Sequence, residues 1–189
     1  MSDASVAKEE GLNLYRSGRY EEAAARFAAA QQLFSGEGNE KELAECANNR
    51  GVCWRQAARF EEATAAFEEA RPLFQGLNDL VGEGQVVGNL AALVESQGDK
   101  QHAAELYQEA IDLFTQAGAK DYVKDTYTAL SKLKLKQRDV VGAMTAFDSG
   151  LEQLDRPNLI ERMARKIIGG GAPSSAAGDE DKEEDASQR

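Results

Sequence analysis

Apolar and polar positions alternate along this chain at helical spacing, and the same alternation is written four times. GRYEEAAARFAAAQQLF begins at Gly18 and ARFEEATAAFEEARPLF at Ala58. Looser copies follow, GDKQHAAELYQEAIDLF from Gly98 and RDVVGAMTAFDSGLEQL from Arg138. Tyr20 and Phe60 stand 40 residues apart, and the copies do not drift. A fixed period of this size predicts stacked supersecondary units, each too small to bury its own apolar face.

The columns of the repeat predict how the units interlock. Ala23, Ala63, Ala103 and Ala143 put a small side chain where two helices approach. One turn later Phe27, Phe67, Tyr107 and Phe147 put a ring on the same face, and Ala30, Ala70, Ala110 and Gly150 are small again. Phe34, Phe74, Phe114 and Leu154 hold the far end. That is one amphipathic helix per unit. A preceding helix has its own columns, the small Gly11, Gly51, Ala91 and Ser131 and the apolar Leu14, Trp54 and Val94, with Lys134 in the fourth unit. Gly18 and Gly98 suit the left-handed residue that ends a helix, whereas Ala58 and Arg138 occupy that turn under strain or with another cap.

These columns resemble the tetratricopeptide repeat (TPR), a helix-turn-helix of about 34 residues. Gly11, Leu14, Gly18, Tyr20, Ala23, Phe27 and Ala30 carry the likeness in the first unit, and Gly51, Trp54, Phe60, Ala63, Phe67 and Ala70 in the second. Lys100 departs from it in the third unit, Lys134 and Arg138 in the fourth. The resemblance implies an all-α, right-handed superhelical solenoid of four units, about 4–36, 37–76, 77–116 and 117–155. A period of 40 leaves about six extra residues per unit, in SGEGNEKE, QGLNDLVGEG and TQAGAKDY, expected to lengthen helix ends and the links between repeats. That is similar to the long-repeat TPR subclass.

Beyond the fourth unit, RPNLIERMARKII carries Leu159, Ile160, Met163, Ile167 and Ile168 at helical spacing. Asn158 as N-cap with Glu161 three residues on forms a capping box. Residues 158–168 are expected to cap the solenoid, the alternative being a free amphipathic segment for a partner or a membrane. The solenoid then spans 1–168, and 169–189 form a disordered glycine-rich linker and acidic tail.

Composition changes the picture mainly by exclusion. Abundant alanine and glutamate with three prolines favour helix. No apolar run reaches membrane-spanning length and MSDASVAKEE is no secretory signal, so the expected compartment is the cytoplasm. The net charge is −11, and six acids against Lys182 and Arg189 put −4 of it in the tail, leaving −7 elsewhere. Such a chain is unsuited to nonspecific nucleic-acid binding. Cys46 and Cys53 lie seven residues apart on one expected helix, too far to bridge, and read as buried apolar residues in a reducing compartment. With His102 expected at the surface, neither a metal nor a cofactor site is expected. No phosphate loop or paired nucleophile is present, and the Glu21–Glu22 and Glu61–Glu62 pairs answer to the helix dipole. No enzymatic activity is expected.

Binding is therefore the expected role, with another protein or a further copy of this one as partner. In TPR proteins the first helix of each unit lines the concave side. Carried over by column, the groove takes Lys8, Leu12, Tyr15 and Arg16, then Asn48, Asn49, Val52, Arg55 and Gln56. The third unit adds Gln85, Asn89, Ala92 and Glu95, and the fourth Asp125, Lys132 and Lys136. With Glu9 and Glu45 nearby, five bases face four acids, and asparagines such as Asn49 and Asn89 suit the backbone of an extended peptide. The lysine–asparagine clamp of co-chaperone TPR domains is matched at Lys8 and Asn49 but not at Leu12, Gln85 or Asn89, which speaks against that partner. The alternative to a peptide-binding adaptor is a structural scaffold acting through its ends or convex side. The acidic tail is expected to solubilise, or else to fold back on the basic groove positions.

Overall fold

The computed structural model describes residues 2–153. Among the described residues the secondary structure is eight α-helices in chain order: α1 (Asp3–Arg16), α2 (Tyr20–Glu37), α3 (Glu40–Gln56), α4 (Phe60–Gly76), α5 (Leu80–Gln97), α6 (Lys100–Gln116), α7 (Lys120–Lys136) and α8 (Val140–Glu152). Each packs on the next, so α1–α2, α3–α4, α5–α6 and α7–α8 are the four units of an all-α solenoid. The expected cap 158–168, Leu154, the linker and the acidic tail lie outside the described residues.

The turns keep a stricter beat than the units. A left-handed residue falls every 20 positions: Gly18, Gly38, Ala58, Asn78, Gly98, Gly118 and Arg138. At each, the next residue donates its N–H back across the helix end, as Arg19 to Leu14, Asn39 to Phe34 and Asp139 to Lys134. This closure satisfies carbonyls that the helix leaves without partners. Ala58 and Arg138 adopt the conformation at φ 58° and 62° despite their β-carbons, so the expected strain is real. Asn39, Asp79, Asp99 and Asp139 then cap the following helix, each accepting from a backbone N–H three residues on.

The extra residues of the 40-residue period are helical. Turns between units are as short as turns within them, which corrects the expectation of a lengthened link. Two turns of equal length separated by helices of nearly equal length make the stack regular.

The columns form the core. Ala23, Ala63 and Ala103 are wholly buried, Phe27 and Phe67 nearly so, and Phe34, Phe74 and Phe114 close each unit. Three apolar clusters result, each spanning neighbouring units. The small column is sterically enforced at Gly51, where a β-carbon would stand 2.6 Å from the Phe67 ring. Ser131, in the same column of the fourth unit, donates its hydroxyl to the Ala143 carbonyl at 2.7 Å. Lys134 answers its departure from the apolar column by reaching Asp139 at 3.5 Å.

Polar residues also enter the interior. Gln31 accepts from Arg50 and donates to Glu69, tying α2, α3 and α4. Glu83 is buried and accepts from Arg71 at 3.1 Å and Gln75 at 2.6 Å, and Arg71 continues to Glu109 on α6. Cys46 and Cys53 are buried and free on α3. Burial pushes both thiols up to about 12, so neither is a nucleophile near neutral pH.

Candidate peptide-binding groove

The odd-numbered helices form one continuous face. Lys8 on α1 reaches Glu42 and Glu45 on α3, at 2.5 and 2.6 Å. Asn89 on α5 donates to Asn48 on α3 at 3.0 Å, and Gln85 donates to the Tyr122 hydroxyl on α7 at 2.9 Å. Lys136 on α7 reaches Glu95 on α5 at 2.7 Å. Two short asparagines meet directly on this side, whereas α4 and α6 are joined by a long arginine and a long glutamate, Arg71 and Glu109. α3 and α5 thus approach each other directly on this side.

A groove of about 490 Å³ runs along this face between α3, α5 and α7. Of the residues expected to bind, Asn48, Asn49, Val52, Gln85 and Asn89 line it, with Asp125 opposite. Its floor includes Gly84 and Gly88 one turn apart. Gly84 is small for internal reasons, since a β-carbon there would meet Phe114 at 2.7 Å. Gly88 is not: its β-carbon would find only Ala110, at an ordinary 3.9 Å. A helix-interior glycine costs about 1 kcal/mol relative to alanine, and here nothing in the fold requires it.

The other expected residues lie elsewhere on the face. Lys8 is held by its two glutamates; burial lowers its pKa, but the hydrogen bonds to Glu42 and Glu45 outweigh this and leave it raised. Arg16 is exposed and sits 3.6 Å from Glu9. Tyr15 packs against Tyr20 at 5.5 Å between ring centres and accepts from Gln56 at 3.5 Å. Leu12 and Ala92 are half-buried and Lys132 is exposed. Arg55 is half-buried, and its Nε, shielded from solvent, has no acceptor among the described residues.

The face is thus less basic than a count of its charges implies. Lys8, Arg16 and Lys136 are each compensated by the chain's own acids, leaving Arg55 and Lys132 outside the ion pairs among the described residues. Glu95 is engaged as well, accepting from Tyr107 at 3.2 Å. Burial first, and then Glu95, raise the Tyr107 phenol well above its usual range.

Sequence reasoning missed Tyr122, Thr126 and Ala129 on α7 and the glycine floor. The signal for the floor was present, because Gly84, Gly88 and Ala92 recur at spacing four. Among the described residues no group of acids, histidine and cysteines is placed to hold a metal ion. No helix among them is long and apolar enough to cross a membrane. His102 is exposed.

A second cleft, of about 600 Å³, opens between α4, α5 and α6 and is lined by Pro72, Leu90, Leu93, Val94 and Leu106. Val94 stands there in the column where the larger Trp54 packs against both neighbouring core clusters. The outer face of the first unit, in contrast, puts Glu10, Asn13 and Arg26 where the third unit has Leu90, Leu93 and Leu106. Glu10 and Arg26 pair at 3.3 Å, so that end of the stack is suited to water.

Comparison with known proteins agrees with this architecture. The structure is similar to BtubC (BKLC) from P. vanneervenii, with a TM-score of 0.67 at 19% identity over 97% of this chain and 71% of that one. It is also similar to PilF of Pseudomonas aeruginosa, with a TM-score of 0.50 at 18% identity over 88% and 83% of the two chains. No curated protein matches the chain. The model of the family described as soluble NSF attachment protein, SNAP, matches residues 2–166. The chain belongs to the SNAP family, built on a TPR-like helical repeat.

Proposed function

We propose that this protein is a non-enzymatic adaptor that holds a peptide or a helix of another protein in the groove between α3, α5 and α7. Its 40-residue period supports reading it as a long-repeat form of such solenoids. Gly88 is the observation that carries the reading. It leaves the groove floor open where internal packing would accept a side chain, at a cost in helix stability. Around it, the amide side chains of Asn49, Gln85 and Asn89 offer donors and acceptors to a bound backbone. Val52 and Ala129 supply apolar contact beside them. Membership of a family of protein-interaction repeats supports a protein partner in general terms.

The test is affinity capture from the native host with the parent chain and with the Asn49→Ala, Gln85→Ala double variant. A protein retained by the parent and lost by a folded variant supports the groove. Equal retention by both refutes it.

A second reading, a scaffold that assembles through its other side, is favoured by the apolar cleft beside Val94 and Leu106. Val94→Trp would fill that cleft. If assembly is lost in this variant but kept in the groove variant, the second reading holds instead.

A further inference from the structure

One place in the repeat is filled differently from unit to unit. In the second, Trp54 packs against two core clusters, with the Arg59 guanidinium 5.6 Å from its ring centre. In the fourth, Lys134 stands in the column of Trp54 and reaches Asp139, in the column of Arg59, at 3.5 Å. The third unit has Val94 and Asp99 at these two positions. Val94 is the shorter side chain, and a cleft of about 600 Å³ lies open beside it between α4, α5 and α6. Asp99 is exposed at its edge and joins no ion pair among the described residues. So the third unit has neither the ring of the second nor the cation of the fourth.

The walls of the cleft suit an apolar group. Leu90, Leu93 and Leu106 stand where the second unit has Arg50, Cys53 and Ala66. The rim is acidic. Glu68 joins Asp99 there, likewise exposed and outside the ion pairs among the described residues, whereas Arg71 is committed to Glu83 and Glu109. Pro72 adds an acceptor to the same wall. It is the only proline within a helix among the described residues, and it lacks the N–H that would close on the Glu68 carbonyl one turn back.

We propose that this cleft seats an aromatic side chain of a partner protein that carries a base beside it. The ring lies against Val94 and Leu106, taking the place that Trp54 fills in the second unit. The base reaches Asp99 and Glu68, as Lys134 reaches Asp139 in the fourth. Where the ring is an indole, the Glu68 carbonyl accepts its N–H. No residue lining the groove lines this cleft, so the two sites are separate and neither depends on the other. The assignment also differs from assembly of like copies, because the ring and base come from a second protein.

The experiment is an NMR titration of the full chain, methyl-labelled at leucine and valine, with tryptamine and with its anionic counterpart indole-3-propionate. Tryptamine shifts the Leu90, Leu93 and Leu106 methyls with a dissociation constant on the order of 1 mM. It binds about 5-fold more tightly than indole-3-propionate at low salt. Val94→Trp supplies the ring from within and abolishes the shifts. Asp99→Asn with Glu68→Gln keeps the α6 cap, since Asn39 caps α3 in the same way, and makes the two probes bind equally. Unmoved methyls in the parent, or shifts of the same size in Val94→Trp, overturn the assignment. Equal binding of the two probes by the parent overturns it too. If the same methyls move on dilution of the protein alone and sedimentation shows a dimer, a second copy fills the seat and the assignment fails.

Discussion

Gly51 and Phe67 meet so closely that the glycine's missing side chain is part of the ring's seat, a β-carbon there falling 2.6 Å from the phenyl edge. The same column tolerates Ala91 and Ser131, so the demand is set by the facing ring and not by the helix. Gly51→Ala should destabilise the fold by about 1–3 kcal/mol through overpacking. Gly88→Ala should be neutral or stabilise by up to about 1 kcal/mol, since only Ala110 lies near. Urea denaturation of the two variants gives both signs, and a loss of stability at Gly88 would remove the argument that its space is kept for a ligand.

The left-handed turns make a second pair of opposite effects. Ala58 holds φ 58° with a β-carbon, while Gly98 holds φ 96° without one. Ala58→Gly should raise stability by about 0.5–1 kcal/mol, the relief of strain exceeding the added freedom of the unfolded chain. Gly98→Ala should lower it by about 1 kcal/mol. Equilibrium unfolding at fixed pH and salt decides both.

Arg71 joins three helices through one guanidinium, and its partner Glu83 is buried. Arg71→Leu strips that carboxylate of its cation and should cost about 2–4 kcal/mol at neutral pH. The Arg71→Leu, Glu83→Leu double variant should recover much of the loss, because no buried charge then remains uncompensated. A double variant as unstable as the single one would mean that Arg71 acts through packing alone.

Lys8 gives a pH signature. Its folded pKa lies above the ordinary value of 10.5, so its contribution is complete below 10.5 and is lost as pH rises through the folded value. The stability difference between the parent and Lys8→Met should hold at about 1 kcal/mol from pH 7 to 9 and shrink at higher pH. A difference that grows with alkalinity contradicts the ion-pair role.

Much of this architecture was legible in the sequence because internal repetition turns each column into four readings of one environment. Ala23, Phe27 and Ala30 alone suggest an amphipathic helix; with Ala63, Phe67 and Ala70 they specify a packing arrangement. The excess of the period over 34 residues was divided between helix ends and links, whereas the links stay short, with Gly38 and Gly118 each supplying a single left-handed residue, and the excess goes into the helices. Asn48, Asn49, Val52, Gln85 and Asn89 were placed on the groove because they follow the repeat register. Lys8 and Lys136 were counted among the basic groove positions, with Glu45 and Glu95 among the acids, but the direct pairing of Lys8 with Glu42 and Glu45 and of Lys136 with Glu95 across neighbouring units was not foreseen. The network of the buried Gln31 with Arg50 and the exposed Glu69 was missed, although its Gln31–Glu69 link recurs one period on as Arg71–Glu109.

The groove itself is tested most directly by photocrosslinking the captured partner to chains carrying a benzophenone side chain at Gln85 or, as a control, at the exposed Leu33 on α2. The account predicts a crosslink from position 85 that disappears in Gly88→Leu, and none from position 33. Crosslinking from position 33 with none from 85 would place the partner on the even helices and contradict the groove as the binding surface.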